Sequence, residues 1–341
     1  MLEHVWLYSI TSLLVTAGGI LFFKPFASQI GLIDRPLGHK DHGRPVPLVG
    51  GIGMFLALLI TGLFLDEHFP AHKFWSYFFG AGVLVVTGIV DDRHGLGARS
   101  KFLAQGIATM IMVMSDIHLV DLGNLYGSGL LSLGSFAIPV TVFATLGVIN
   151  SINMADGMDG LAGGFSLVAL LAFGFVCIQT NHPNTLVLVG VLSGGVLGFL
   201  IFNFRMTEHR LAKVFMGDAG SLFLGFSLAW LAIKLSMPGE LRMSPTTALW
   251  ILALPLMDTV SLMLRRVAHG KNPFVAGRDH LHHILLRAGY SHSQTVWIML
   301  AIASLLALIG LVGWRLNLPE PLMFWGFIGL FLCYYFAVHH A

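Results

Sequence analysis

The chain has 341 residues, of which 56% are hydrophobic and only 11% charged, against roughly 25% charged in an ordinary soluble domain, and its mean hydropathy is +0.81. That composition excludes a water-soluble globular protein and a disordered segment, and it marks an integral membrane protein. The net charge of +2 gives no ground for nucleic-acid binding, and the two cysteines, Cys177 and Cys333, lie in apolar stretches with neither a disulfide framework nor zinc spacing.

In chain order, apolar blocks near the ~20 residues that cross a bilayer fall at 5–23, 48–65, 74–90, 102–119, 135–149, 161–179, 185–204, 219–236, 247–264, 295–313 and 320–338. The fifth is the shortest and contains Pro139. The pattern predicts an all-α, polytopic membrane helix bundle of about 11 transmembrane helices, forming one membrane domain over 1–341. No basic residue precedes the first block, which reads as an uncleaved span. All but four of the 19 lysines and arginines follow odd-numbered blocks; Lys73, Lys234, Arg242 and Arg315 lie on the opposite side. Because basic loops stay in the cytoplasm, the N-terminus is expected outside and the C-terminus inside.

The polar chemistry collects on that same inner side, near 24–47, 91–101, 150–160, 205–218 and 265–294. The first loop runs from Asp34-Arg35-Pro36 through Lys40, His42 and Arg44 to Pro47 and Gly50-Gly51, a stiff basic segment suited to a ligand phosphate or to lipid headgroups. The second starts at Asp91-Asp92. Adjacent carboxylates at a membrane surface repel unless a cation or a proton relieves them, so the pair suggests a metal or proton-accepting site; a solvated helix end is the plainer reading. A turn between Asp92 and Lys101 would set both around one phosphate.

The third, from Asn150 through Asn153, Asp156, Gly157 and Asp159 to Leu161, places four hard-oxygen side chains between apolar blocks. Such oxygens suit magnesium, which shares its shell with substrate phosphates. In the fourth, Phe215 to Ser221, Asp218 is either a helix N-cap or a metal ligand. The fifth contains Arg278, Asp279, His280, Leu281, His282 and His283. This run suits an anionic phosphate, with zinc as the rival, and its charge is adjustable near neutrality. Asp258, two turns before Arg265, is expected to pair with Arg265 or Arg266 as a structural group.

These six motifs (Asp34 to Pro36, Pro47 with Gly50-Gly51, Asp91-Asp92, Asn150 to Leu161, Val214 to Ser221, and Arg278 to His283), taken in order over about 31–290, resemble the polyprenyl-phosphate N-acetylhexosamine-1-phosphate transferases. The resemblance implies a cytoplasmic cleft in a helical bundle of the bacterial cytoplasmic membrane. There the phosphate of undecaprenyl phosphate attacks the β-phosphorus of UDP-N-acetylglucosamine, and UMP leaves. It implies Mg2+, with Mn2+ as an alternative, held by Asp218 and Asn153. Asp91, Asp92 and Asp218 would be catalytic, and Lys101 and Arg44 would hold the lipid phosphate. Asn150, Asp156, Gly157, Asp159, Arg278, His280, His282 and His283 would hold the nucleotide sugar. Membrane lipids are expected neighbours, nucleic acid is not, and a homodimer is compatible with the pattern.

The Arg-Asp-His-Leu-His-His run resembles enzymes of N-acetylglucosamine rather than those of a muramyl-pentapeptide donor. A transporter would carry polar groups to both faces and an inverted repeat. A CDP-alcohol phosphotransferase would need Ala-Arg where Leu161-Ala162 follows Asp159-Gly160.

Overall fold

The computed structural model describes residues 2–35, 45–63, 71–205, 211–239, 241–272 and 279–339. Every expected apolar block falls on a helix. In chain order these are α1 (Leu2–Phe23), α2 (Gly50–Gly62), α3 (Ala71–His94), α4 (Ala98–Val113), α5 (Ala137–Ala155), α6 (Leu161–Gln179), α7 (Pro183–Asn203) and α8 (Gly217–Ser236). They continue as α9 (Pro245–Ile251), α10 (Ala253–Ala268), the short α11 (Leu281–Arg287), α12 (His292–Arg315) and α13 (Glu320–His339). Arg44 and Arg278, expected at the site, lie outside the described residues.

Among the described residues, eight helices are long and apolar enough to cross a bilayer, and nine if the pair α9 and α10 is one broken span. The eleven expected include two shorter helices. As described, α2 has 13 residues and α4 has 16, about 20 and 24 Å at 1.5 Å per residue, short of the ~30 Å hydrocarbon layer. The ninth block, expected to be continuous, bends by 83° between α9 and α10. Pro255 explains the break: it has no N–H for the carbonyl of Ile251, and its ring collides with that turn. Pro139 does no such harm, because it sits in the first turn of α5, where no intrahelical acceptor exists.

Helix α8 is the central post, 94% buried across its apolar window and packed by α3, α5, α2 and α6. Close approach there depends on small residues: a methyl group at Gly51 of α2 or at Gly88 of α3 would run into the α8 backbone at Gly220 or Ala219. At the periphery α13 is only 17% buried, and Leu322, Trp325, Leu332 and Phe336 face outward. A continuous apolar surface of this kind has its stable partner in lipid.

One small antiparallel pair departs from the all-α expectation. β1 (Ile33–Asp34) pairs with β2 (Val46–Pro47), Ile33 opposite Pro47. The ladder continues into the segment before α8: Phe215 N–H donates to the Pro47 carbonyl (2.9 Å), while Gly50 and Gly51 donate to Phe215 and Met216 (3.0 Å each). The first and fourth sequence motifs are therefore joined by main-chain hydrogen bonds at one end of the bundle.

Candidate active site

The polar motifs, read as loops in the sequence, sit largely on helix ends. Asp91 and Asp92 occupy the last turn of α3, and Lys101 the first turn of α4. Asn150 and Asn153 lie three residues apart on one face at the end of α5, and Asp218 in the first turn of α8. Helix alternation brings all of these ends together.

Lys101 stands between two carboxylates, its Nζ 2.9 Å from Asp91 Oδ2 and 3.0 Å from Asp218 Oδ2. The turn after α3 thus pairs Lys101 directly with Asp91, the neighbour of Asp92. A left-handed Gly95 (φ +69°) closes that turn, and Asp91 also accepts from Leu96 N–H. Asp92 faces the other way: its two oxygens accept from the amides of Asp218 (2.9 Å) and Ala219 (3.4 Å). It supplies from a neighbouring helix the N-terminal cap that α8 does not make for itself. Gly217 (φ +71°) leaves room for that carboxylate. With both oxygens committed to amides, Asp92 positions the start of α8 and Asp218 on it.

Asn153 Nδ2 donates to Asp218 Oδ1 (3.0 Å) and to Ser221 Oγ (2.9 Å). Asn150, one turn earlier, is held by Gln105 of α4, with Nδ2 to Oε1 at 2.8 Å. It braces α5 against α4 at the edge of the cleft. Asp156 caps α5 and forms no hydrogen bond through its carboxyl among the described residues. Enclosure by protein, and then the negative charges of Asp218, Asp92 and Asp159, push its carboxyl well above the usual carboxylate range. Asp92, Asp156 and Asp218 thus crowd acidic groups at one end of the bundle, where Lys101 reaches Asp218.

Asp159 is buried and ion-paired with Arg205 (Nε to Oδ2, 2.5 Å). The left-handed Gly160 beside it donates to Asn203 Oδ1 (2.7 Å), and Asn203 Nδ2 in turn donates to the Val214 carbonyl (2.9 Å). Neither Arg205 nor Asn203 was legible as a site residue, because an arginine at the end of an apolar block is what topology alone provides.

The histidine run reaches the same place from α11. His282 Nε2 lies 3.3 Å from where a side chain on Gly157 would begin, so the third and fifth motifs touch. The rings of His280 and His282 stack at 5.4 Å, and that of His283 follows at 4.2 Å. Burial, and then the neighbouring His283 and His280, press His282 down to about 3. Burial thus favours the neutral form of the His282 ring. Asp258 does not pair with Arg265 or Arg266. It accepts from His280 Nδ1 (2.7 Å), Leu281 N–H (3.0 Å) and the Tyr334 hydroxyl (2.8 Å), while Arg265 holds the Asp279 carbonyl (2.8 Å).

Among the described residues no three His, Cys, Asp or Glu side chains converge as a complete metal cage. What the opening offers is partial: hard oxygens of Asp218, Asp156 and Asn153. That donor set fits a magnesium-type ion whose shell is completed by substrate diphosphate and water. It does not fit zinc.

The family model described as "Glycosyl transferase family 4" matches residues 74–236. Over nearly the whole chain the sequence is similar to proteins named undecaprenyl-phosphate alpha-N-acetylglucosaminyl 1-phosphate transferase. That of Yersinia pestis is 34% identical (100% of this chain, 91% of the relative), and that of Salmonella typhi 35% (97% and 90%). The Haemophilus influenzae protein is 36% identical (94% and 90%).

Proposed function

Because the chain belongs to the polyprenyl-phosphate N-acetylhexosamine-1-phosphate transferases, we propose that it transfers N-acetylglucosamine 1-phosphate from UDP-N-acetylglucosamine to undecaprenyl phosphate, releasing UMP. One observation carries the assignment of the site: Lys101, Asp91, Asp218 and Asn153, from four different helices, form a single connected polar cluster at one end of an apolar bundle. Three motifs far apart in the sequence, Asp91-Asp92, Asn150 to Leu161 and Val214 to Ser221, thereby meet at one end of the bundle, where a lipid phosphate and a soluble nucleotide would come together.

In this reading the arrangement serves a single displacement. An ionised oxygen of the lipid phosphate attacks the β-phosphorus of the donor; the bond from that phosphorus to the oxygen bridging to the α-phosphate breaks, and UMP carries the electrons away. An ionised phosphate needs no further activation, so a single displacement suffices. Lys101 supplies the positive charge facing the acceptor phosphate, and Asp91 orients its ammonium group. Asp92 holds the start of α8, and with it Asp218, in place. Asp159 with Arg205 and the turn at Gly157 forms the nucleotide side, and His282 and His283 border the diphosphate. Asp218 and Asn153, with Asp156 beside them, would hold Mg2+; that ion supplies charge neutralisation of the transferring diphosphate.

In this reading α2 and α4 are the remaining two of eleven crossings, the site opens to the cytoplasm, and the protein resides in the bacterial inner membrane. A donor panel tests the substrate. Purified protein in detergent with undecaprenyl phosphate and magnesium is expected to release UMP from UDP-N-acetylglucosamine at least tenfold faster than from UDP-N-acetylmuramyl-pentapeptide, a gap of about 1.4 kcal/mol in transition-state binding. The reverse preference would reject the donor assignment.

A further inference from the structure

Asp258 is a buried group that the mechanism above leaves unused. Its carboxylate takes three donors from three parts of the chain: the His280 ring, the Leu281 amide at the start of α11, and the hydroxyl of Tyr334 on α13. A carboxylate only accepts, so His280 donates through Nδ1 and its tautomer is fixed. Arg265 and Arg266, the nearest cations on the same helix, are turned to Asp279 instead, one on its carbonyl and one at 4.0 Å from its carboxylate. The segment 279–281 is thereby clamped onto α10 from both sides. Beyond the clamp, the His280 ring stacks on His282. His282 is 2% exposed, and its Nε2 has no hydrogen-bond partner among the described residues although it lies against Gly157. A buried ring nitrogen left unpaired is costly unless a ligand completes it.

We propose that Tyr334 and Asp258 are positioning residues for the donor: through His280 they set the His282 ring so that its Nε2 meets the diphosphate of the nucleotide sugar. This inference rests on the functional reading above. It assigns to α13, which contributes no motif to the site, a hold on substrate binding exerted through Asp258 and His280. The chain of contacts is hydroxyl to carboxylate, carboxylate to imidazole, imidazole onto imidazole, and none of its members reaches the lipid-phosphate side at Lys101.

The test is a two-substrate kinetic comparison of the full-length protein in detergent. Asp258→Asn keeps the size but replaces an obligate acceptor with an amide, which can present an N–H to His280 and reverse the tautomer. It is expected to raise the KM for UDP-N-acetylglucosamine about tenfold and to lower kcat about 10- to 100-fold, the range for a group that orients a ligand-binding histidine. The KM for undecaprenyl phosphate should stay within about twofold. Tyr334→Phe, which retains the ring and the helix packing, should move the same donor constant by about three- to tenfold. Asp258→Glu, which restores a carboxylate, should recover part of the loss. Unchanged donor KM in both Asp258→Asn and Tyr334→Phe would overturn the inference, and so would an equal rise in both substrates' KM. Wild-type protein that releases no UMP would overturn the functional reading, and this inference with it.

Discussion

Replacing Asp218 by asparagine is expected to lower kcat by about 10³-fold or more while leaving the protein folded. The magnitude is that of losing the hold on an ion that would neutralise the transferring phosphates. The fold should survive because the parts of Asp218 that build structure are not in its charge. Its backbone N–H still donates to Asp92, and Lys101 still pairs with Asp91. The melting temperature in detergent should equal or exceed that of the wild type, since one member of a repelling carboxylate group is gone; Asp156 in particular loses the first-named of its negative neighbours. Turnover of the variant within tenfold of wild type would remove Asp218 from the reaction.

The second large effect is steric. Gly88→Ala puts a methyl group into the backbone of α8 at Asp218 and Ala219, and Gly51→Ala puts one into Gly220. Main chain at a helix crossing has no rotamer by which to yield, so α3 or α2 must move away from α8. Overpacking of this kind costs about 1–3 kcal/mol. The functional loss should be larger than the stability loss suggests. Gly88 faces the peptide that carries Asp218, and a shift of about 1 Å in a catalytic group costs on the order of 10²-fold. Gly106→Ala on α4 and Gly147→Ala on α5 serve as controls, because nothing lies within 4 Å of either new methyl group. Both should melt and turn over like the wild type. Equal behaviour of all four variants would show that the α3–α8 and α2–α8 crossings are looser than described.

How much of this could be read from the sequence depends on whether the signal was local. Helix positions were legible because continuous hydropathy is a property of one segment; even the block containing Pro139 formed its helix, since that proline fell in the first turn. The bend at α10 was not anticipated, although Pro255 sits inside the ninth block, because a proline is compatible with either a kink or a helix start. The site residues were found as motifs, but their partners were not. Asp92 reads as a catalytic carboxylate, yet it caps a helix 126 positions away, and nothing near it in sequence says so. Asp258 reads as a partner for the arginines about two turns on, the separation at which side chains share a helix face. The tertiary fold overrode that by laying His280 and Tyr334 against it. Arg205, Asn203, Gln105 and Tyr334 carry no distinguishing local pattern, and only the assembled bundle gives them roles.

The central claim is that the bond broken lies between the two phosphates of the donor, so that the sugar travels with its phosphate. The most direct measurement supplies UDP-N-acetylglucosamine labelled at the β-phosphorus, together with undecaprenyl phosphate, and follows the label. The account predicts that the label enters the lipid fraction as undecaprenyl diphosphate N-acetylglucosamine in amounts equal to the UMP released, and that neither forms with Asp218→Asn. Label recovered as UDP, with unlabelled sugar on the lipid, would contradict it.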